Sequence, residues 1–260
     1  MGDGEVLQHH VQLGVGDVGR YVFLPGDPQR SEVIARHFDR PHQVAVNREY
    51  NTWSGFLDGE LVSVTSTGIG SPSAAIAVEE LAKIGATTFI RVGTAGAMQF
   101  NIQSGDLGIV TAAIRDEGTT AHYMPAGFPA VADLSVTLSL IDGARSLGIK
   151  PWVGISQTKD SFYGQHEPGR MPVERRLVER WSAWIAGGAI CSEMECAAIF
   201  IVASILGLRA GGVMRIAGHP DQSPMSAAER SGTEDIEPLV NAAIAGAKEL
   251  ILRDRGEGRI

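Results

Sequence analysis

The chain is poor in cysteine, lysine and long apolar runs, and each shortage excludes something. Two cysteines in 260 residues, Cys191 and Cys196, make no disulfide framework, so a reducing cytoplasmic setting is expected. The longest apolar run, Ala197 to Leu208, is too short to span a bilayer. Met1 to Gly14 is polar and lacks the apolar core of a secretory signal, so no membrane partner is expected. The net charge of −8 argues against nucleic acid as a partner, because that binding draws its affinity from a basic surface. Only 4 lysines stand beside 18 arginines among the 22 cationic residues. Genome composition can explain that bias, and so, in part, can a need for planar, bidentate anion recognition. Several motifs are missing too. HExxH, CxxC and Gly-x-Ser-x-Gly do not occur, which removes the common zinc, redox and α/β-hydrolase sites. Gly68-Ile69-Gly70 follows a strand-like stretch, but Ser71 and Pro72 break the dinucleotide fingerprint.

What is abundant is glycine, 32 of 260 residues, or about 12% against a typical 7% or so. It falls in PGD, TGIG, VGTAG and GG without a period, which suits tight turns and close backbone approach to a ligand. Strand-like and helix-like segments alternate without repeats or linkers. Strands are predicted at Arg20–Leu24, Val44–Asn47, Thr52–Phe56, Leu61–Thr65, Thr88–Val92, Leu107–Ile114, Pro151–Gln157, Ala189–Ser192 and Gly211–Ile216. Helices are predicted at Gln29–Phe38, Ser71–Ile84, Leu134–Leu147, Val173–Ala186, Cys196–Leu206 and Ile236–Leu252, with Ser71 as a candidate N-cap and Pro72 at N1. The Gly93–Gly96 stretch reads as a turn. Arg115–Asp133, Thr158–Pro172 and Gly218–Thr233 read as loops, the first long enough to be functional or mobile. One α/β domain over residues 1–260, a central sheet between helices, is the expectation.

Four places carry candidate chemistry. Pro25-Gly26-Asp27-Pro28 joins a strand to a helix whose N-terminus can face an anion, with Arg30 in its first turn; a plain capped turn is the alternative. Arg91 sits between Ile90 and Val92 in an apolar strand, where an arginine is costly unless it meets an anion or a core carboxylate. Glu193 and Glu195 precede a very apolar helix. They can hold vicinal hydroxyls or perform acid–base work, or simply favour a helix N-terminus. The stretch from Asp160 to Arg170 gathers Phe162, Gln165, His166 and Arg170, suited to the face and polar edge of a heterocycle, or an ordinary polar loop. Arg48 taken alone is a surface charge.

Taken in order, PGDP, NREY, TGIGSPS, RVGTAG, TKDSFYGQ and SEMECAA resemble the nucleoside phosphorylase family, and within it the uridine-cleaving branch, from about His10 to the last helix. The resemblance implies a three-layer α/β/α sandwich with a central mixed sheet, commonly a homohexamer built as a trimer of dimers. It implies phosphate held by Gly26, Arg30, Arg91 and Thr94, with Arg48 lent by a neighbour. Met194 and Glu195 would hold the ribose beside Gly96, a neighbour's His10 would reach the 5′-hydroxyl, and Phe162, Gln165 and Arg170 would recognise uracil. Glu49, Ile69 and Ser73 match positions that bind a monovalent cation, K⁺, at a dimer interface in some relatives. No cofactor is required; inorganic phosphate is the co-substrate. The implied role is nucleoside salvage or catabolism in the cytoplasm.

Two departures stand out. Gln165 and Arg170 are five apart where the family pair is two apart, so either Arg170 swings back or His166 takes part of its task. Ala95 replaces a threonine common in the turn. The stretch Ile216 to His219 has no carboxylate before Asp221, whereas purine-cleaving relatives carry an aspartate there, so a pyrimidine is favoured. A purine phosphorylase or nucleosidase remains the nearest alternative, and a non-catalytic nucleoside-binding protein the alternative of another class.

Overall fold

A computed structural model of the chain describes residues 7–218 and 235–260. The third expected loop, with His219 and Asp221, lies outside them apart from Gly218. Ten strands form one mixed sheet: β1 (Tyr21–Leu24), β2 (Asp39–Asn47), β3 (Tyr50–Leu57), β4 (Glu60–Thr65), β5 (Thr88–Ala97), β6 (Leu107–Asp116), β7 (Ala130–Val131), β8 (Trp152–Lys159), β9 (Cys191–Glu193) and β10 (Arg209–Gly218). The helices are α1 (Pro28–Ala35), α2 (Ser71–Lys83), α3 (Leu134–Ser146), α4 (Phe162–His166), α5 (Glu174–Ala186), α6 (Cys196–Ile205) and α7 (Glu237–Gly256).

The apolar runs become central strands because both of their faces are covered. Val22, Leu24 and Phe89 pack into one core with residues of α2 and α6. Tyr21, Phe23, Ile90 and Val92 point the other way, into a core with residues of α1, α3 and α7. This is the expected three-layer sandwich. The sheet also does something periodicity does not reveal: part of it closes on itself. β5 pairs β10, β10 pairs β6, β6 pairs β8, β8 pairs β9, and β9 returns antiparallel to β5.

That closure decides where a ligand can sit. One edge of β5 is taken by β10 from Thr88 to Gly96. The opposite edge is paired with β1 only as far as Arg91, and with β9 only from Gly96. Between those pairings the edge opens. The Gly93–Gly96 stretch, expected as a turn, therefore continues β5, because β10 pairs with it throughout, with one bulge between Ile216 and Gly218.

Two other expectations are corrected. The N-cap of α2 is Gly70, whose φ of 100° favours glycine, while Ser71 opens the helix and donates its hydroxyl to the Met194 carbonyl at 3.0 Å. The segment after β6 is folded around Arg115. Its guanidinium donates to the Thr120 hydroxyl and to the carbonyls of Thr120, Met124, Pro125 and Phe128. That arginine serves structure, as does Arg209, which pairs with buried Asp254 at 2.5 Å.

The crossing of α3 and α7 rests on two glycines. A Cβ on Gly143 would lie 2.2 Å from the Gly246 backbone nitrogen, which cannot swing aside as a side chain can. Gly143→Ala is expected to cost about 1–3 kcal/mol, seen as a lower thermal midpoint; an unchanged midpoint would mean the helices separate freely.

Candidate active site

Arg91 anchors the opening in the β5 edge. It is 4% exposed, and its Nη1 donates to the Leu24 carbonyl at the end of β1, 3.0 Å away. Its Nη2 meets Glu195 Oε2 at 2.6 Å, and Nε has no hydrogen-bond partner among the described residues. Glycines make room for this guanidinium. A Cβ on Gly93 would come 3.1 Å from Nε and 2.8 Å from Met214 Sδ, and one on Gly26 would come 3.4 Å from Nη2. The carboxylate alternative for Arg91 is thus present, but its partner is itself a candidate ligand-binding residue.

Arg30 rises from the first turn of α1. Burial lowers its pKa most, Asp27 opposes that, and the positive charge of Arg91 lowers it further. Two guanidiniums thus feel each other beside the Gly26 turn, an arrangement that favours an anion between them. Asp27 takes the plain role, capping α1 through the Gln29 N–H at 2.9 Å. Thr94 is half-buried on β5 in the open stretch, and a Cβ on Gly96 would meet no atom within 4 Å.

The two carboxylates of SEMEC divide their work. Glu193 accepts from the backbone N–H groups of Glu195 and Cys196, both at 2.7 Å, and from the hydroxyls of Ser156 and Thr158. It therefore caps the start of α6. Its pKa is raised, first by burial and then by the negative charge of Glu195. Glu195 turns instead into the opening, where Oε1 accepts the Gly70 N–H at 2.7 Å and Oε2 meets Arg91. Half-buried Met194 lies between them.

Gln165 is carried by α4, whose start is capped by the Ser161 hydroxyl. Its Oε1 is 3.0 Å from Ser192 Oγ, which also accepts from Lys159 Nζ at 2.7 Å. Phe162 is 52% exposed, with its ring centroid 4.2 Å from that of His166. The His166 pKa is lowered by burial and then by the charge of Lys159. A cavity of about 250 Å³ opens beside this cluster, with Gln157, Lys159, Gln165, Asp116, Trp181 and Trp184 among its walls. Arg170 is not drawn in. Its side chain is 63% exposed and pairs with Glu167 at 2.8 Å, over the Tyr163 ring.

The remaining candidates lie on the outer side of the opening. Arg48 is exposed at the turn between β2 and β3, so it joins no site within its own protomer. His10 Nδ1 is 2.6 Å from Glu80, which also takes the backbone N–H groups of His10 and Val11. Burial alone would raise the Glu80 pKa, but these hydrogen bonds hold it down. His9 is exposed beside His10. Glu49 accepts from Ser73 Oγ at 2.7 Å, which lowers its pKa, and Ile69 stands 79% exposed nearby in the chain. Among the described residues no three His, Cys, Asp or Glu side chains gather as a metal site, and no helix is long and apolar enough to cross a membrane.

Sequence reasoning missed Glu80, Ser192 and Lys159. Lys159 alone left a signal, being one of only four lysines and standing in the TKDSFYGQ motif, although the stretch from Thr158 reads as a loop and the structure extends β8 to Lys159.

The family model described as "Phosphorylase superfamily" matches residues 20–253. A uridine phosphorylase of Treponema pallidum (strain Nichols) is 47% identical over 247 residues, covering 95% of each chain. A uridine phosphorylase of Thermococcus kodakarensis is 48% identical over 214 residues, 82% of this chain and 77% of the relative. A guanosine phosphorylase of Halorubrum lacusprofundi is 37% identical over 212 residues, 82% and 83% of the two chains. The paired arginines, the carboxylate facing them and these matches agree: the chain belongs to the phosphorylase superfamily.

Proposed function

We propose that the chain is a pentosyltransferase that catalyses the reversible phosphorolysis of uridine to uracil and ribose-1-phosphate, a step of nucleoside salvage or catabolism. The observation that carries this is the buried Arg91–Glu195 pair in the opening of the β5 edge, one member suited to phosphate and the other to sugar hydroxyls. Relatives named uridine phosphorylase support the choice of base.

In this reading Arg30, Arg91, Thr94 and the Gly26 backbone hold hydrogen phosphate beneath C1′, with Arg48 supplied by a neighbouring subunit. Glu195 accepts hydrogen bonds from the 2′- and 3′-hydroxyls, Met194 and Gly96 pack against the ribose, and a neighbour's His10, steered by Glu80, reaches the 5′-hydroxyl. A phosphate oxygen forms a bond to C1′ while the C1′–N1 bond breaks. The bond's electrons leave with uracil, and the proton that phosphate loses is balanced by the one uracil gains at N1. Positive charge grows on the sugar and negative charge on the base, so catalysis is mainly positioning and electrostatics. Phe162 and Gln165 engage uracil, with His166 or Arg170 as their partner. No cofactor enters the reaction.

Because Arg48 and His10 serve a neighbour's site, the working unit is at least a dimer, and a hexamer built from dimers is the proposed assembly, in the cytoplasm. The oxygens of Glu49 and Ser73 and the backbone at Ile69 suit one half of a K⁺ site, which would neutralise Glu49 and take no part in bond making.

Uridine cleavage measured with and without phosphate tests the reading. Turnover is expected only with phosphate; equal cleavage without it would overturn the phosphorylase assignment. The guanosine phosphorylase match carries the purine reading, and inosine cleavage outpacing uridine cleavage would establish it.

A further inference from the structure

The base subsite needs a cation, since uracil departs as an anion. Arg170, exposed and paired with Glu167, offers a charge that solvent largely screens. The buried cation on the hydrogen-bond network of Gln165 is Lys159. It stands at the end of β8, 5% exposed, and donates to Ser192 Oγ at 2.7 Å. Ser192 Oγ lies 3.0 Å from Gln165 Oε1 and 2.6 Å from Gln157 Oε1, and Gln157 donates onward to Asp116 at 2.7 Å. An ammonium can only donate, so it forces the Ser192 oxygen to accept and to spend its single proton on a glutamine oxygen. Ser192 thus ties the ammonium to the amides of both Gln157 and Gln165.

On the functional reading above, we infer that Lys159 is the positioning cation of the base subsite. Through Ser192 it holds the Gln165 amide in place, and its charge stabilises the negative charge that collects on departing uracil. Arg91 and Lys159 then divide the site, one serving the anion that enters and the other the anion that leaves. An ammonium this deeply buried is costly, and the facing groups offset part of the cost. Glu193 and Cys191 on β9, Glu195 at the start of α6 and Asp116 on β6 raise its pKa, while burial, the larger influence, lowers it to about 8. His166 on α4, Asp160 after β8 and Arg180 on α5, which pairs with Asp116, are the other charged or titratable groups around it.

The test compares uridine with 5-fluorouridine at saturating phosphate, in single-turnover rates. Fluorouracil leaves as a more stable anion and needs less help. Lys159→Met is expected to lose about 100-fold on uridine and about 10-fold or less on 5-fluorouridine, with the phosphate constant unchanged. Ser192→Ala should show a smaller loss of the same inequality, and it carries the comparison if Lys159→Met does not fold. The wild-type rate on uridine should fall as pH rises through about 8, where Lys159 loses its proton, and Lys159→Met should lack that limb. Equal losses on the two substrates would reduce Lys159 to a packing residue and overturn the inference alone. A wild-type protein that cleaves neither substrate with phosphate would overturn the functional reading itself.

Discussion

Arg91→Met is expected to lower phosphorolysis about 1,000-fold or more, because it removes a preorganised cation from the place where phosphate must be held. Arg91 is fixed on two sides, by the Leu24 carbonyl and by Glu195, and glycines at 26 and 93 leave room for its guanidinium. A guanidinium so constrained loses little entropy on binding phosphate. The substitution also strips buried Glu195 of its counter-charge, which should cost about 3–5 kcal/mol of stability. Thermal melting therefore has to accompany kinetics. Arg91→Lys, which keeps the charge but not the fork, should recover part of the stability and little of the rate. A folded variant with unchanged phosphate kinetics would rule out the assigned role.

The second large effect belongs to Glu195. Glu195→Gln is expected to lower turnover of uridine about 100-fold, since hydrogen bonds to a charged acceptor are worth roughly 1.5–3 kcal/mol each and two are proposed here. A substrate without the hydroxyls has nothing to lose, so 2′,3′-dideoxyuridine should show nearly equal rates for the variant and the wild type. A uniform loss on both substrates would show that Glu195 acts on Arg91 alone. The same change leaves Arg91 as a buried cation without its carboxylate. Phosphate should then stabilise the variant more than the wild type against heat, because a ligand stabilises in proportion to its preference for the folded state.

Much of the scaffold was legible in the sequence. Apolar β-branched runs such as TFIRV became strands covered on both faces, and the apolar run after Glu195 became α6, with every residue from Cys196 to Ala203 buried. Arg91 was legible as well, because a cation among Ile90 and Val92 is an exception to burial statistics that demands a partner. The division of labour between Glu193 and Glu195 was not. Two carboxylates two residues apart look alike until the chain turns from β9 into α6, which sends one to the helix N-terminus and the other to Arg91.

The scarcity of lysine and the abundance of arginine had the same two levels. Composition argued against nucleic acid and a disulfide framework, and local pattern singled out Arg30 and Arg91. Only the tertiary structure showed that Arg115 and Arg209 are scaffold, that Arg170 faces outward, and that one of the rare lysines lies buried beside Gln165. The reason is physical. Element type follows from local periodicity, whereas the partner of a buried charge is chosen by strands distant in sequence. Here β1 and β9 leave β5 partly unpaired, and sheet closure brings Arg91 to Glu195 and Lys159 to Ser192 beside Gln165.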